Sequence, residues 1–156
     1  CNELAINQLL AMHSVIFRPA ERKIWVSTSP WQCGRFVCYD LDDVFGADAS
    51  VVELSSEVIP EDPFVHSRDF ADVLEFKRLL PVMQKAARSG RHVPEDSLRH
   101  FVSLDSLYFD AYNVAGDCYL SSGRPAQAAA SYRHALTLPM KPSEYHHIET
   151  KLRGIK

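Results

Sequence analysis

The chain has 156 residues, 46% hydrophobic and 24% charged, with a net charge of −3; that suits one domain or two small ones sharing a core. Its Lys and Arg are scattered, which gives no basis for a nucleic-acid surface, where clustered cations must displace counterions. No stretch approaches the roughly 18 apolar residues of a membrane span, so membrane contact is not indicated. In chain order, Leu4, Ile6, Leu9 and Leu10 fall on one side of a short helix over residues 3–12. The runs at 14–17 and 23–28 are rich in β-branched and aromatic residues and read as strands, joined by a polar connection containing Pro19. Residues 35–39 make a third strand, and 40–45 continue into a turn or short helix.

Residues 46–66 carry Pro60 and Pro63 in an acidic context and read as a connector, with Val51–Leu54 as a short strand within it. From Ser67 the apolar period turns helical: Phe70, Val73, Phe76, Leu80, Met83 and Ala87 recur at steps of three and four. Pro81 is expected to kink or split that helix, because it removes a backbone donor and crowds the preceding turn. Gly90 ends it, and Pro94 begins the next. A further helix is expected from Asp105 to Leu120 with Gly123 as terminator, and another from Pro125 to about Leu136. The last runs from Ser143 to Leu152, capped by Ser143 with Glu144 in its first turn. The predicted fold is α+β, with residues 1–45 β-containing, 46–66 a connector and 67–156 helical.

Within the helical part, Tyr112 to Pro139 carries the spacing of a single tetratricopeptide (TPR) repeat, W-x2-L-G-x2-Y…A-x3-F…P. Tyr112 takes the Trp place, Ala115 and Gly116 the Leu-Gly pair and Tyr119 the Tyr place. Ala128 and Tyr132 form the A-x3-F pair, followed by Ala135, and Pro139 closes the unit. One such repeat cannot bury its own apolar face, and stability usually takes roughly three or more. The unit is therefore expected to lean on something larger.

Four cysteines are present, Cys1, Cys33, Cys38 and Cys118, with no C-x-x-C pair. The Cys33–Cys38 spacing is poor for zinc, so buried free thiols are expected. Cys1 invites comparison with a nucleophile that uses its own α-amino group as base, but its surroundings look helical rather than like a core strand. His13 and Ser14 head the first strand; they either face a cleft or serve as a core or capping pair. Asn7 either donates to an oxyanion or hydrogen-bonds a loop. His146 and His147 with Glu149 do not make a metal site, because adjacent helical side chains point about 100° apart. The basic residues of 151–156 read as a solvated helix end. No glycine-rich phosphate loop and no G-x-S-x-G elbow appears. The residues alone supply no complete catalytic constellation and call for no metal or cofactor.

The run 2–17, NELAINQLLAMHSVIF, with 24–31, IWVSTSPW, and 34–41, GRFVCYDL, resembles the C-terminal end of the acyl-coenzyme A:6-aminopenicillanic acid acyltransferase-like family, related to choloylglycine hydrolases. Residues 75–79 and the repeat at 112–139 extend the similarity to bacterial members with a TPR-like helical tail. The resemblance implies an N-terminal-nucleophile hydrolase with a four-layer αββα sandwich, of which residues 1–45 would be a hairpin or three-strand remnant. It implies a catalytic Cys that opens a strand upstream and attacks an amide or thioester carbonyl. Cys1 stands where a small loop residue usually precedes the Asn-Glu pair, so the catalytic role is not carried onto it. His13, Ser14 and Asn7 become substrate-pocket candidates. The implied partners are the rest of the parent chain and, through it, a small amide or thioester. The other expectation is a TPR-type interaction module presenting Tyr112 and Asn113 to a peptide groove.

Overall fold

Alternating β-branched and aromatic residues between Val15 and Asp40 build a three-stranded antiparallel sheet in the order β1-β2-β3: Val15–Arg18, Lys23–Ser27 and Phe36–Asp40. The computed structural model describes residues 13–155, in two units, residues 13–67 and 68–155. The expected helix at 3–12, with Cys1 and Asn7, lies outside the described residues. Strands followed by helices make the fold α+β.

Register places Ile16, Trp25 and Cys38 in one cross-strand row and Val15, Val26 and Val37 in the next. Exposure falls steeply across the first row, from 43% at Ile16 to 5% at Trp25 and 0% at Cys38. The outer edge of β3 is covered by the segment expected to be a connector. Phe36 and Ile59 exchange both backbone hydrogen bonds, at 2.9 and 3.0 Å, and the Leu54 N–H donates to the Cys38 carbonyl at 2.9 Å. The bridge falls at Ile59, and Val51–Leu54 does not form the expected strand. Pinning is by side chains: the Trp25 indole N–H donates to the Glu57 carbonyl at 2.7 Å, and Lys23 pairs with the Glu57 carboxylate. Arg18 lies over the Trp25 ring, 5.4 Å from its centroid. Asp40 caps the short helix α1, Leu41–Phe45, by accepting from the Asp42 N–H.

The helical unit comprises α2, Arg68–Ser89; α3, Glu95–Leu104; α4, Phe109–Ser121; α5, Pro125–Ala135; and α6, Pro142–Arg153. Pro81 does not split α2. It sits on the exposed side, where solvent can hydrate the freed carbonyl, while Phe76 and Met83 are buried on either side of it. Packing outweighs the lost bond. Helix α4 starts later than expected because residues 105–107 form a turn after α3, with the Tyr108 N–H donating to Asp105 O. Helix α6 starts earlier: Pro142 occupies the first turn with Lys141 as N-cap, so Ser143 lies inside the helix and caps nothing.

The core stacks Phe76 on Phe101, centroids 4.9 Å apart, with Tyr108 edge-on to Phe76. Between α4 and α5 the side chains are small: Ala111, Ala115, Ala128 and Ala135 are all buried. Gly116 has no room for a Cβ, which would overlap the ring of Tyr132. Gly116→Ala is therefore expected to cost about 1–3 kcal/mol of stability by forcing that ring off its seat; urea unfolding of the variant against the parent chain measures it.

Candidate functional site

In the sheet unit, Ser14 precedes β1. Its backbone N–H donates to Ser27 Oγ at 2.8 Å, its carbonyl accepts from the Ser27 N–H at 2.9 Å, and its hydroxyl donates to Gln32 Oε1 at 3.4 Å. His13 is exposed. Ser14 thus closes the β1–β2 ladder and tethers the loop before β3, while Asn7 lies outside the described residues. Gly34 lets that loop fold tightly, since a Cβ there would run into the Thr28 and Ser29 carbonyls.

The repeat-spaced residues come together between α4 and α5. Ala115, Gly116, Tyr119, Ala128, Tyr132 and Ala135 are buried, Tyr112 is half-buried against the His134 ring at 4.1 Å, and Pro139 is exposed after α5. The Tyr119 hydroxyl donates to Glu95 Oε1 at 2.8 Å, and burial together with that carboxylate pushes its pKa up to about 12. The Tyr132 hydroxyl donates to Asp117 Oδ1 at 2.6 Å; burial first, then Asp117, holds it protonated far above the usual range.

Asp117 is the hub of a polar network that ties α4, α5 and α6 together. Lys151 of α6 donates to Asp117 Oδ1 and Oδ2, both at 2.8 Å, and to Asn113 Oδ1 at 2.9 Å. The Asn113 amide in turn donates to Asp110 Oδ1 at 2.8 Å. Burial pushes the Asp110 carboxyl up, against the Asn113 hydrogen bond and the Lys151 charge. Asp110, Asn113 and Asp117 fall at i, i+3 and i+7, one stripe of α4. That stripe faces a cleft of about 210 Å³ whose other wall includes Gln84, Ala87 and Arg88 of α2.

Two expectations change here. Lys151 is not part of a solvated helix end, because its ammonium is half-buried among three acceptor atoms. Asn113 does not stand exposed for a peptide: it borders the cleft but is buried, with Lys151 seated on its amide oxygen. The sequence signal was the i, i+3, i+7 spacing of polar residues on α4; the partners on α5 and α6 lie too far along the chain for any local pattern to reveal them.

The described thiols are poor nucleophiles. Burial pushes the Cys33 and Cys38 thiols up, and Cys118, whose S–H points to the Met83 carbonyl at 3.4 Å, is pushed up to about 11. His146 and Glu149 lie 3.9 Å apart on α6, and among the described residues no group of three or more His, Cys, Asp or Glu is placed to hold a metal ion.

No known protein family matches the chain, and no curated protein and no solved structure matches it.

The Cys118 shift has a sign that can be measured. The unfolded thiol ionises near about 8.5, below its folded value of about 11, so the unfolded state loses its proton first. That contribution to stability is full below about pH 8.5 and is lost as pH rises toward about 11. Urea midpoints measured from neutral to alkaline pH are expected to fall across this window, less steeply in Cys118→Ala; a midpoint that rises contradicts the assignment.

Proposed function

We propose that this chain is the C-terminal part of a cysteine-dependent N-terminal-nucleophile amidohydrolase or acyltransferase acting on an amide or thioester carbonyl, with the nucleophile outside the chain. The observation that carries the reading is β1. Its outer edge pairs with no strand among the described residues, and Val15, Ile16 and Phe17 are all exposed, Phe17 at 63%. Natural sheets blunt free edges with charge, proline or a covering segment. Here β3 is covered and β1 is left apolar on both faces, as suits a strand that continues a larger sheet. The thiols support the same reading, since Cys33, Cys38 and Cys118 are all shifted away from the thiolate.

On this reading α4 and α5 form a TPR-like hairpin that buttresses the catalytic part, which the close Gly116–Tyr132 approach supports. The alternative, a TPR-type module that binds peptide without catalysis, is disfavoured: Asn113, the residue it needs exposed, is buried under Lys151. Ser14 stays a pocket candidate through its bond to Gln32, with His13 beside it.

The isolated chain is expected to self-associate with rising concentration in light scattering and to hydrolyse no amide or thioester. Phe17→Lys should suppress the association, because a lysine on an edge strand opposes further pairing. A chain that stays monomeric at every concentration and unfolds in a single cooperative step sinks the proposal.

A further inference from the structure

Charge is spread along most of the chain, with one exception. Residues 77–93 hold five Lys or Arg and no Asp or Glu, although the whole chain carries −3. Most of the described Lys and Arg side chains sit against a carboxylate. Lys85 and Arg91 have no such partner among the described residues. Both line one open groove of about 420 Å³ on α2, together with Pro81, Val82 and Ser89.

Helix geometry and the helix stop bring these groups together. Pro81, Lys85 and Ser89 fall at i, i+4 and i+8, one face of α2, with Val82 beside Pro81. Gly90 then takes φ +66°, which a residue without Cβ adopts freely. The chain folds back there, so that the Arg91 N–H donates to the Ala86 carbonyl at 3.1 Å and the Gly90 N–H to Ala87 O at 3.3 Å. Arg91 is thereby carried to the groove that Lys85 borders. The helix dipole favours cations in the last turn, which accounts for Arg88. It does not account for Lys85, which stands before that turn, or for Arg91, which lies beyond the helix.

The groove offers two kinds of surface. Pro81 is exposed and Val82 is 44% exposed, which makes one part apolar; the two cations supply the other. Backbone amides of the kind that cradle phosphate are spent here, since those of Gly90 and Arg91 already donate to α2 carbonyls. The Ser89 hydroxyl is spent as well, donating to the Ala86 carbonyl at 3.1 Å. Recognition of an anion therefore rests on the two side chains, and the Arg91 guanidinium can take both oxygens of a carboxylate. A hydrocarbon chain on the same ligand shields Pro81 and Val82 from water.

We propose that this groove binds a small amphipathic carboxylate, its head held by Lys85 and Arg91 and its hydrocarbon tail laid along Pro81 and Val82. Exposed cations in an open groove hold a ligand weakly, so the expected dissociation constant is on the order of 1 mM.

The test is saturation-transfer difference NMR with hexanoate as probe, on the full chain at low concentration, where self-association is least. The tail protons of hexanoate should give a saturable signal. Acetate, which has the head without the tail, and hexylammonium, which has the tail with the opposite charge, should each bind about fivefold more weakly or worse. Lys85→Gln combined with Arg91→Gln should weaken hexanoate by about fivefold or more. Arg133→Gln, which removes an exposed cation on α5, should leave binding unchanged. All the substituted side chains are exposed, and circular dichroism checks that each variant keeps its helices. Binding that does not saturate, or that survives the double substitution, overturns the proposal. So does inorganic phosphate displacing hexanoate at equal concentration, which makes the groove a site for ions alone. The three probes decide on the parent chain without any variant, since hexylammonium or acetate binding as well as hexanoate also overturns it.

Discussion

Tyr132 holds the helical unit together from both ends of its side chain. Its ring lies where Gly116 leaves no Cβ, which lets α4 and α5 approach closely, and its hydroxyl donates to Asp117, which in turn receives Lys151 from α6. An apolar contact and a polar one are thereby coupled through a single residue. Moving the ring displaces the hydroxyl, and losing the hydroxyl bond leaves Asp117 with Lys151 as its charge partner in a half-buried place. On another side of α4, Cys118 packs against α2 with its S–H at the Met83 carbonyl, so α4 is gripped from both sides.

The sheet unit is organised differently, by asymmetry between its edges. β3 is paired with Ile59 and Leu54, and the loop that supplies them is anchored at Glu57 by Trp25 and Lys23. Among the described residues no strand pairs with the outer edge of β1, and Arg18 at its far end pairs with Glu21. The two edges of one small sheet thus differ among the described residues, one paired with residues 54 and 59 and the other with apolar side chains exposed.

Much of this was legible in the sequence where the signal was local. Strand alternation located the three strands to within a residue or two, and the repeat spacing picked out Ala115, Gly116, Tyr119, Ala128, Tyr132 and Ala135, all buried. The errors fall where distant contacts override local rules. Pro81 is expected to kink or split its helix, and the split does not occur, because the buried Phe76 and Met83 carry α2 through it. Lys151 looked like an ordinary solvated lysine in a basic helix end, because Asn113 and Asp117 are more than thirty residues away. Residues 46–66 looked like a connector because they lack periodicity; their backbone groups pair with β3 through isolated bonds, which leave no repeating pattern in the side chains.

The pinning of Glu57 by the Trp25 indole has a spectroscopic consequence. The chain's two tryptophans, Trp25 and Trp31, both lie within residues 13–67, while the long helices lie within 68–155. Indole emission therefore reports on the sheet unit alone, with Trp25 as its buried, hydrogen-bonded component. Far-ultraviolet circular dichroism is dominated by the helices. Followed side by side, the two signals separate the melting of the two units in a single unlabelled sample, and any lag between them measures how independently each unit stands.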